Sequence, residues 1–87
     1  MWPMFAGMWI EENQRLTRDF ALNSFADALD FIHQVGAIAE RHNHHPTIIN
    51  TYNRVRLELT THDAGNMVTE KDWSLARAID EITPTSA

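Results

Sequence analysis

One long amphipathic segment constrains the fold of this chain more than any other feature of its sequence. Apolar side chains recur at helical spacing from Phe25 onward, and Ser24 directly before them is a favoured N-cap residue. Pro46 cannot continue a helix, and it restricts His45 before it to an extended conformation. The spacing therefore predicts a helix over residues 25–42. Its predicted apolar face consists of Phe25, Ala28, Leu29, Ile32, Val35, Gly36 and Ala39.

Short segments with strand character flank this helix in pairs. Residues 9–12 and 16–22 precede it, and residues 48–51 and 55–61 follow it with a turn at about Tyr52. Apolar and polar residues alternate along the last of these segments, so we expect one buried and one polar face of the sheet.

A second helix is predicted near the end of the chain. Thr69 is suited to cap it, and the acidic residues Glu70 and Asp72 oppose the macrodipole in its first turn. Its apolar stripe would consist of Trp73, Ala76, Ile79 and Ile82. The order β-β-α-β-β-α predicts an α+β fold, in which an antiparallel four-stranded sheet carries the helices on one face. We expect residues 1–87 to form a single domain.

Composition and charge exclude several classes of function. Twelve acidic residues against seven basic ones give a net charge of -5, so nucleic acid and anionic membrane surfaces are poor candidate partners. The chain has no cysteine, which excludes disulfides, thiolate metal sites and a cysteine nucleophile. No apolar run is long enough to span a membrane and no signal-peptide pattern is present, so we expect a cytoplasmic protein.

The histidines are the most informative polar residues of the sequence. His44 and His45 lie where the first helix is predicted to end, and His62 ends the last predicted strand. Adjacent residues of an extended segment point in opposite directions, so His44 and His45 need not share one role. Pairing of the strands in a sheet could bring His62 close to His44 and His45. Two or three imidazoles around one pocket suit general acid–base catalysis near neutral pH.

Other interpretations of these histidines stay open. A lone surface histidine usually has no function, and we favour this interpretation for His33 and His42. For His44 and His45, solvated residues at a helix end are an equally open interpretation. A metal site is less favoured, because the His-x-His-His spacing crosses a helix end and a proline and predicts no converging geometry. Glu40 lies four residues before His44, where its carboxylate could fix a histidine tautomer or bind a polar substrate group.

A set of polar residues and one proline resembles the signature of the pterin-4a-carbinolamine dehydratases. Its members are Glu40, His44, His45, Pro46, Tyr52, His62 and Asp72. The resemblance extends from Trp9 to Ile82 and includes the helix end at residues 39–46. It implies the α+β fold described above. It also implies dehydration of a 4a-hydroxytetrahydropterin to the quinonoid dihydropterin, in pterin recycling for aromatic amino acid hydroxylation.

The resemblance further implies roles for single residues. His45 and His62 would transfer protons, and His44 would orient the pterin and complete the catalytic set. The substrate-binding residues would be Glu40, Pro46, Thr60, Thr61 and Asp72. The pterin would be the substrate, with no metal and no other cofactor.

Two features depart from the family pattern. Only eight residues precede Trp9, so the first helix that many members place there would be short or absent. The loop at residues 65–68 is longer than the Gly-Gly-Leu type that is usual in the family.

The alternative function is a non-catalytic assembly or partner-binding module on the same scaffold, because some proteins of this fold have such roles. The intact His44, His45 and His62 favour catalysis over this alternative. Open edge strands invite pairing with another copy of the chain. The family resemblance implies the same, so the expected protein partner is a second copy in a homodimer or homotetramer.

Overall fold

Four strands and two helices follow one another in the predicted order. The computed structural model describes residues 8–83. Its strands and helices are β1 (Ile10–Glu12), β2 (Arg15–Ala21), α1 (Phe25–His42), β3 (Thr47–Thr51), β4 (Arg54–Leu59) and α2 (Glu70–Ile82). The predicted α+β class is confirmed. The prediction of a short or absent helix before Trp9 concerns residues 1–8, which lie almost entirely outside the described range. Within residues 8–83, no helix is long and apolar enough to cross a membrane.

The strands form one antiparallel sheet in the order β1-β2-β4-β3, which leaves β1 and β3 at its edges. Val55, Leu57 and Leu59 of β4 are buried, as the alternating pattern predicts. Leu16 and Phe20 of β2 pair with Leu59 and Val55 and extend the same apolar surface. Both helices pack on this face, so the core lies between the sheet and the helix layer.

The two ends of α1 are fixed by local hydrogen bonds. Ser24 Oγ accepts a hydrogen bond from the Asp27 N–H at 3.0 Å, which confirms the predicted N-cap. At the other end Asn43 adopts the left-handed conformation, with a φ of 49°. The Asn43 N–H donates to Glu40 O and the His44 N–H donates to Ala39 O, each at 3.1 Å. This is the Schellman arrangement, so Asn43 ends the helix before Pro46 is reached.

The buried face of α1 differs from the predicted one. Phe25 and Leu29 were predicted to be buried, but about half of each side chain is exposed. The helix carries apolar residues on two adjacent stripes, and helical periodicity does not distinguish them. The sheet and α2 cover only one stripe. The buried residues of α1 are Ala28, Phe31, Val35, Ile38 and Ala39.

Candidate active site

Asp72 is a fully buried carboxylate in the first turn of α2. Its Oδ2 atom accepts hydrogen bonds from Thr61 Oγ1 at 2.7 Å and from the Thr69 N–H at 2.9 Å. Its Oδ1 atom lies 2.6 Å from Nε2 of His44. A buried carboxylate is costly unless donors satisfy its oxygens. These three donors do so, and they join three separate segments of the chain at one residue.

The start of α2 explains why the carboxylate lies there. Thr69 and Asp72 form a capping box, in which each side chain bonds to the backbone of the other residue. The hydroxyl groups of Thr61 and Thr69 lie 2.7 Å apart and share a hydrogen bond. Thr61 is itself buried. The capping box therefore anchors the helix start to the chain segment that follows β4.

His44 lies against this carboxylate, with only 13% of its side chain exposed. A carboxylate accepts hydrogen bonds, so the Nε2 atom that faces Asp72 carries the proton. Nδ1 of His44 has no hydrogen-bond partner within residues 8–83. It is not fully shielded from solvent. Nδ1 is therefore the ring nitrogen of His44 that a ligand can reach.

His45 points away from the core, as expected for the neighbour of an inward residue in an extended segment. Its Nε2 atom lies 2.5 Å from Oε2 of Glu40, and 57% of its side chain is exposed. Glu40 lies four residues before His44, but the left-handed Asn43 redirects the chain, so Glu40 contacts His45 instead. Glu40 is also exposed, so this pair lies at the molecular surface.

An open, mainly apolar depression of about 440 Å³ lies beside the pair of Glu40 and His45. One side of it is α1 at Gly36, where an added Cβ would meet no atom within 4 Å, so helix backbone is exposed there. Pro46 and Ile48, which follow α1 in the chain, also line it. Ligand sites are typically concave and apolar, with a few polar groups that fix orientation. The depression has the apolar lining and the polar groups of such a site, but it is open to solvent rather than enclosed.

His62 lies on a turn rather than at the end of the last strand, where we predicted it. β4 ends at Leu59, and His62 begins a single 3-10 turn that ends at Ala64. The strand stops because the Thr61 N–H bonds to Met67 O at 3.0 Å instead of to another strand. Nδ1 of His62 lies 2.6 Å from Oδ1 of Asn66. Nε2 of His62 has no partner among the described residues.

The structure brings some of the predicted site residues together and separates others. Asp72 contacts both His44 and Thr61, so it joins the helix end to the segment that carries His62. His45 shares no hydrogen bond with His44 or His62, and it lines the depression, whereas His44 and His62 do not. Thr60 Oγ1 donates to Gln14 O at 3.0 Å. Within residues 8–83, no group of three or more His, Asp or Glu side chains could hold a metal ion.

Two residues that the sequence analysis did not place in the site belong to it. Thr69 was predicted only as a cap, although the Thr-x-x-Asp spacing is itself the signal for the capping box that fixes Asp72. Asn66 lies in the loop at residues 65–68, and no sequence signal indicates that its side chain contacts His62.

A separate group of ion pairs lies on the sheet face opposite the helices. Glu58 accepts hydrogen bonds from Arg15 and Arg56, and Arg56 also contacts Asp19. Burial raises the pKa of Glu58, but the hydrogen bonds from Arg56 and Arg15 outweigh burial and hold the pKa below its ordinary value. The hydrogen bond to Glu58 likewise raises the pKa of Arg56. Both groups are therefore charged at neutral pH and are not candidates for proton transfer.

Comparison with known proteins identifies the family. The sequence model of the pterin 4 alpha carbinolamine dehydratases matches residues 2–82, so this chain belongs to that family. A relative in Chloroflexus aurantiacus, provisionally named pterin-4-alpha-carbinolamine dehydratase, is 54% identical over 74 residues, which are 85% of this chain and 78% of that protein. A relative of the same provisional name in Sulfolobus acidocaldarius is 42% identical over 74 residues, 85% of this chain and 80% of that protein.

Two solved structures have the same fold. A transcriptional coactivator/pterin dehydratase from Brucella melitensis superposes with a TM-score of 0.78 at 36% identity, over 88% of this chain and 81% of that one. A pterin dehydratase-like protein, described as a RuBisCO assembly factor in the alpha-carboxysome, superposes with a TM-score of 0.74. Its identity is 23%, over 90% of this chain and 92% of that one, so it supports the fold alone.

Proposed function

We propose that this protein is a dehydratase that removes water from a 4a-hydroxytetrahydropterin to give the quinonoid dihydropterin, in pterin recycling for aromatic amino acid hydroxylation. One observation carries the proposal. In each of His44, His45 and His62 an oxygen acceptor holds one ring nitrogen, and the other nitrogen has no partner among the described residues. Membership of the dehydratase family supports it.

The reaction needs an acid and a base. The hydroxyl group on C4a leaves as water once it receives a proton, and the neighbouring ring N–H loses its proton as the carbon–nitrogen double bond forms. An imidazole with one nitrogen free can donate or accept a proton near neutral pH. Two such rings on opposite sides of a bound pterin would supply both transfers. We propose no metal or redox cofactor, since the pterin is the substrate.

We assign the proton transfers to His45 and His62, because both rings are exposed and each has a free nitrogen. The depression beside His45 would receive one part of the pterin, with Pro46 as part of its wall, and the rest of the pterin would extend to His62, which does not line the depression. Glu40 would orient His45 through their hydrogen bond. Thr60 is partly exposed and remains a predicted contact of the substrate.

The buried residues of the predicted set receive a different role. Asp72 and Thr61 were predicted to bind substrate, but both are buried and their side-chain oxygens bond to other protein groups. We propose that Asp72 positions His44 and that Thr61 and Thr69 position Asp72. His44 would then present Nδ1 to the pterin in a fixed orientation.

The test is a dehydratase assay with a 4a-hydroxytetrahydropterin as substrate. His45→Ala and His62→Ala should each lower kcat, and the double variant should lose nearly all of the acceleration, about 10²–10⁴-fold. His42→Ala is the matched control, because His42 is exposed at the same helix end and its side chain forms no hydrogen bond within residues 8–83. It should leave the rate unchanged. A strong chelator should also have no effect, and loss of activity on chelation would favour a metal mechanism instead.

Exposed apolar residues favour a second candidate function, a non-catalytic assembly or partner-binding module. Phe25 and Leu29 on α1 and Met67 in the loop beside His62 are large and exposed. Such residues often mark a surface that another protein covers. A wild-type protein that lacks dehydratase activity, together with Leu29→Ser lowering self-association or partner binding, would support this candidate over the enzyme.

We also propose that the protein forms a homodimer through β3. Of the two edge strands, β1 carries Glu11 and Glu12, and charges oppose edge pairing. β3 has no charged residue and exposes Ile48 and Ile49. Light scattering should give a mass of about 20 kDa, twice the 10.0 kDa of one chain, or about 40 kDa for a tetramer. Ile49→Lys should shift it toward 10 kDa, and a wild-type mass of 10 kDa would refute the proposal.

A further inference from the structure

We infer that Asn66 fixes the tautomer and orientation of His62, so that Nε2 is the nitrogen of His62 that transfers a proton. The inference rests on the proposed dehydratase function and adds a positioning residue to it. Its starting point is the hydrogen bond of 2.6 Å between Nδ1 of His62 and Oδ1 of Asn66.

The backbone between Thr61 and Met67 is closed by a series of hydrogen bonds. The Thr61 N–H donates to Met67 O, and the Asn66 N–H donates back to Thr61 O, both at 3.0 Å. The Gly65 N–H donates to His62 O at the same distance. The chain therefore turns back on itself within a few residues. This turn brings the side chain of Asn66 to the ring of His62.

The chemistry of the contact determines the tautomer. An amide oxygen only accepts hydrogen bonds, so Nδ1 of His62 carries a proton when it contacts Oδ1 of Asn66. In the neutral ring Nε2 then holds the lone pair and is free to act as the base. The amide oxygen adds no charge, so the same hydrogen bond persists when Nε2 gains a proton. His62 can thus pass between its neutral and charged forms without reorientation.

The contact has added importance because His62 is exposed. Asp72 and its surroundings hold His44, whereas Asn66 is the one side chain within residues 8–83 that hydrogen-bonds the His62 ring. Asn66 has a φ of 61°, in the left-handed region that glycine adopts with less strain. Backbone conformation alone would therefore be satisfied by glycine. The asparagine side chain in addition forms the hydrogen bond to His62, which glycine cannot form.

Asn66→Gly separates these two roles, because it keeps the left-handed backbone and removes only the side chain. Long-range ¹⁵N–¹H NMR of the His62 ring, at a pH where the ring is neutral, reports the tautomer directly. The wild type should show Nδ1–H, and Asn66→Gly should show a mixture with Nε2–H. The melting temperature should be unchanged or higher, while kcat falls roughly 10- to 100-fold.

Asn13→Gly is the matched control. Asn13 is also a left-handed asparagine, with a φ of 51°, but its side chain forms no hydrogen bond within the described range. Asn13→Gly should change neither the His62 tautomer nor kcat. The inference is overturned if His62 keeps Nδ1–H in Asn66→Gly, or if the tautomer changes while kcat does not. An inactive wild type would instead contradict the proposed function, and the NMR comparison would still decide whether Asn66 controls the tautomer.

Discussion

Asp72 and Glu40 each contact the Nε2 atom of a histidine, and the two histidines are neighbours in the chain. The distances are nearly equal, 2.6 Å for Asp72 and 2.5 Å for Glu40. The Asp72 side chain is 0% exposed, whereas that of Glu40 is 77% exposed. A buried hydrogen-bonded carboxylate is costly to remove, while an exposed ion pair contributes little to stability. The buried pair of Asp72 and His44 therefore supports the fold, whereas the exposed pair of Glu40 and His45 orients an accessible ring.

The largest effect is expected at the buried side of this comparison. Asp72→Ala leaves the donors of Thr61, Thr69 and His44 without their acceptor in the interior. The free energy of unfolding should fall by about 3 kcal/mol, because each buried unsatisfied group costs about 1–3 kcal/mol. The melting temperature should fall by roughly 15 °C. Thermal denaturation followed by circular dichroism measures both.

Glu81→Ala is the control for this substitution, since Glu81 is an exposed acid on the same helix and should change the free energy of unfolding by less than about 0.5 kcal/mol. If Asp72→Ala were as stable as Glu81→Ala, Asp72 would not be the buried support that we describe.

The burial of Glu58 is intermediate between that of Asp72 and that of Glu40, since its side chain is 16% exposed. Its hydrogen-bond donors are two arginines. Its pKa is lowered in the folded state, so its contribution to stability is complete above its ordinary pKa near 4.5. That contribution is lost as the pH falls below 4.5 and through the lower folded pKa. Glu58→Gln should therefore lower the free energy of unfolding by about 1 kcal/mol at pH 7, after allowance for solvent screening.

The difference between the wild type and Glu58→Gln should shrink as the pH is lowered below about 4. Urea titrations at a series of pH values measure it. A difference that stays constant across this range would show that the charge of Glu58 does not contribute to stability.

The smallest effect on stability is expected at the exposed side. Glu40→Gln should change the free energy of unfolding by less than about 0.5 kcal/mol, because both members of the pair with His45 are exposed. Under the proposed function, kcat should nevertheless fall by up to about 100-fold, since a misplaced His45 ring loses its alignment with the substrate. A kinetic assay and a melting curve on the same sample separate the two effects. If Glu40→Gln lowered the free energy of unfolding but left kcat unchanged, the pair of Glu40 and His45 would support the fold and would not orient His45 for catalysis.

Local signals predicted the frame of the fold well. The bounds of α1 match the predicted residues 25–42, because Ser24 caps it and the sequence after His42 cannot continue it. The apolar face of α1 was less predictable. Phe31 and Ile38 are buried in place of Phe25 and Leu29, and this choice depends on where the sheet and α2 lie. Periodicity identifies an apolar helix but not which of two apolar stripes the rest of the chain covers.

The candidate site was predictable in its residue types and less so in its geometry. The sequence indicated His44, His45, His62, Glu40 and Asp72 through a family resemblance. It did not indicate that Asp72 is buried, because that burial depends on Thr61 and His44, which are 11 and 28 residues away in the chain. The contact of His62 with Asn66 depends on a closed loop that no sequence pattern predicts. Contacts between distant segments decide the burial of Asp72, and the local hydrogen bonds of the loop decide the contact of His62.

The rate of dehydration by the purified protein tests the central claim most directly. A 4a-hydroxytetrahydropterin generated in the assay loses water slowly by itself, and the claim predicts that the wild type accelerates this loss. The variant with both His45→Ala and His62→Ala should return the rate close to the uncatalysed value while its circular dichroism spectrum stays native. An unaccelerated wild type, or a double variant as fast as the wild type, would contradict the account.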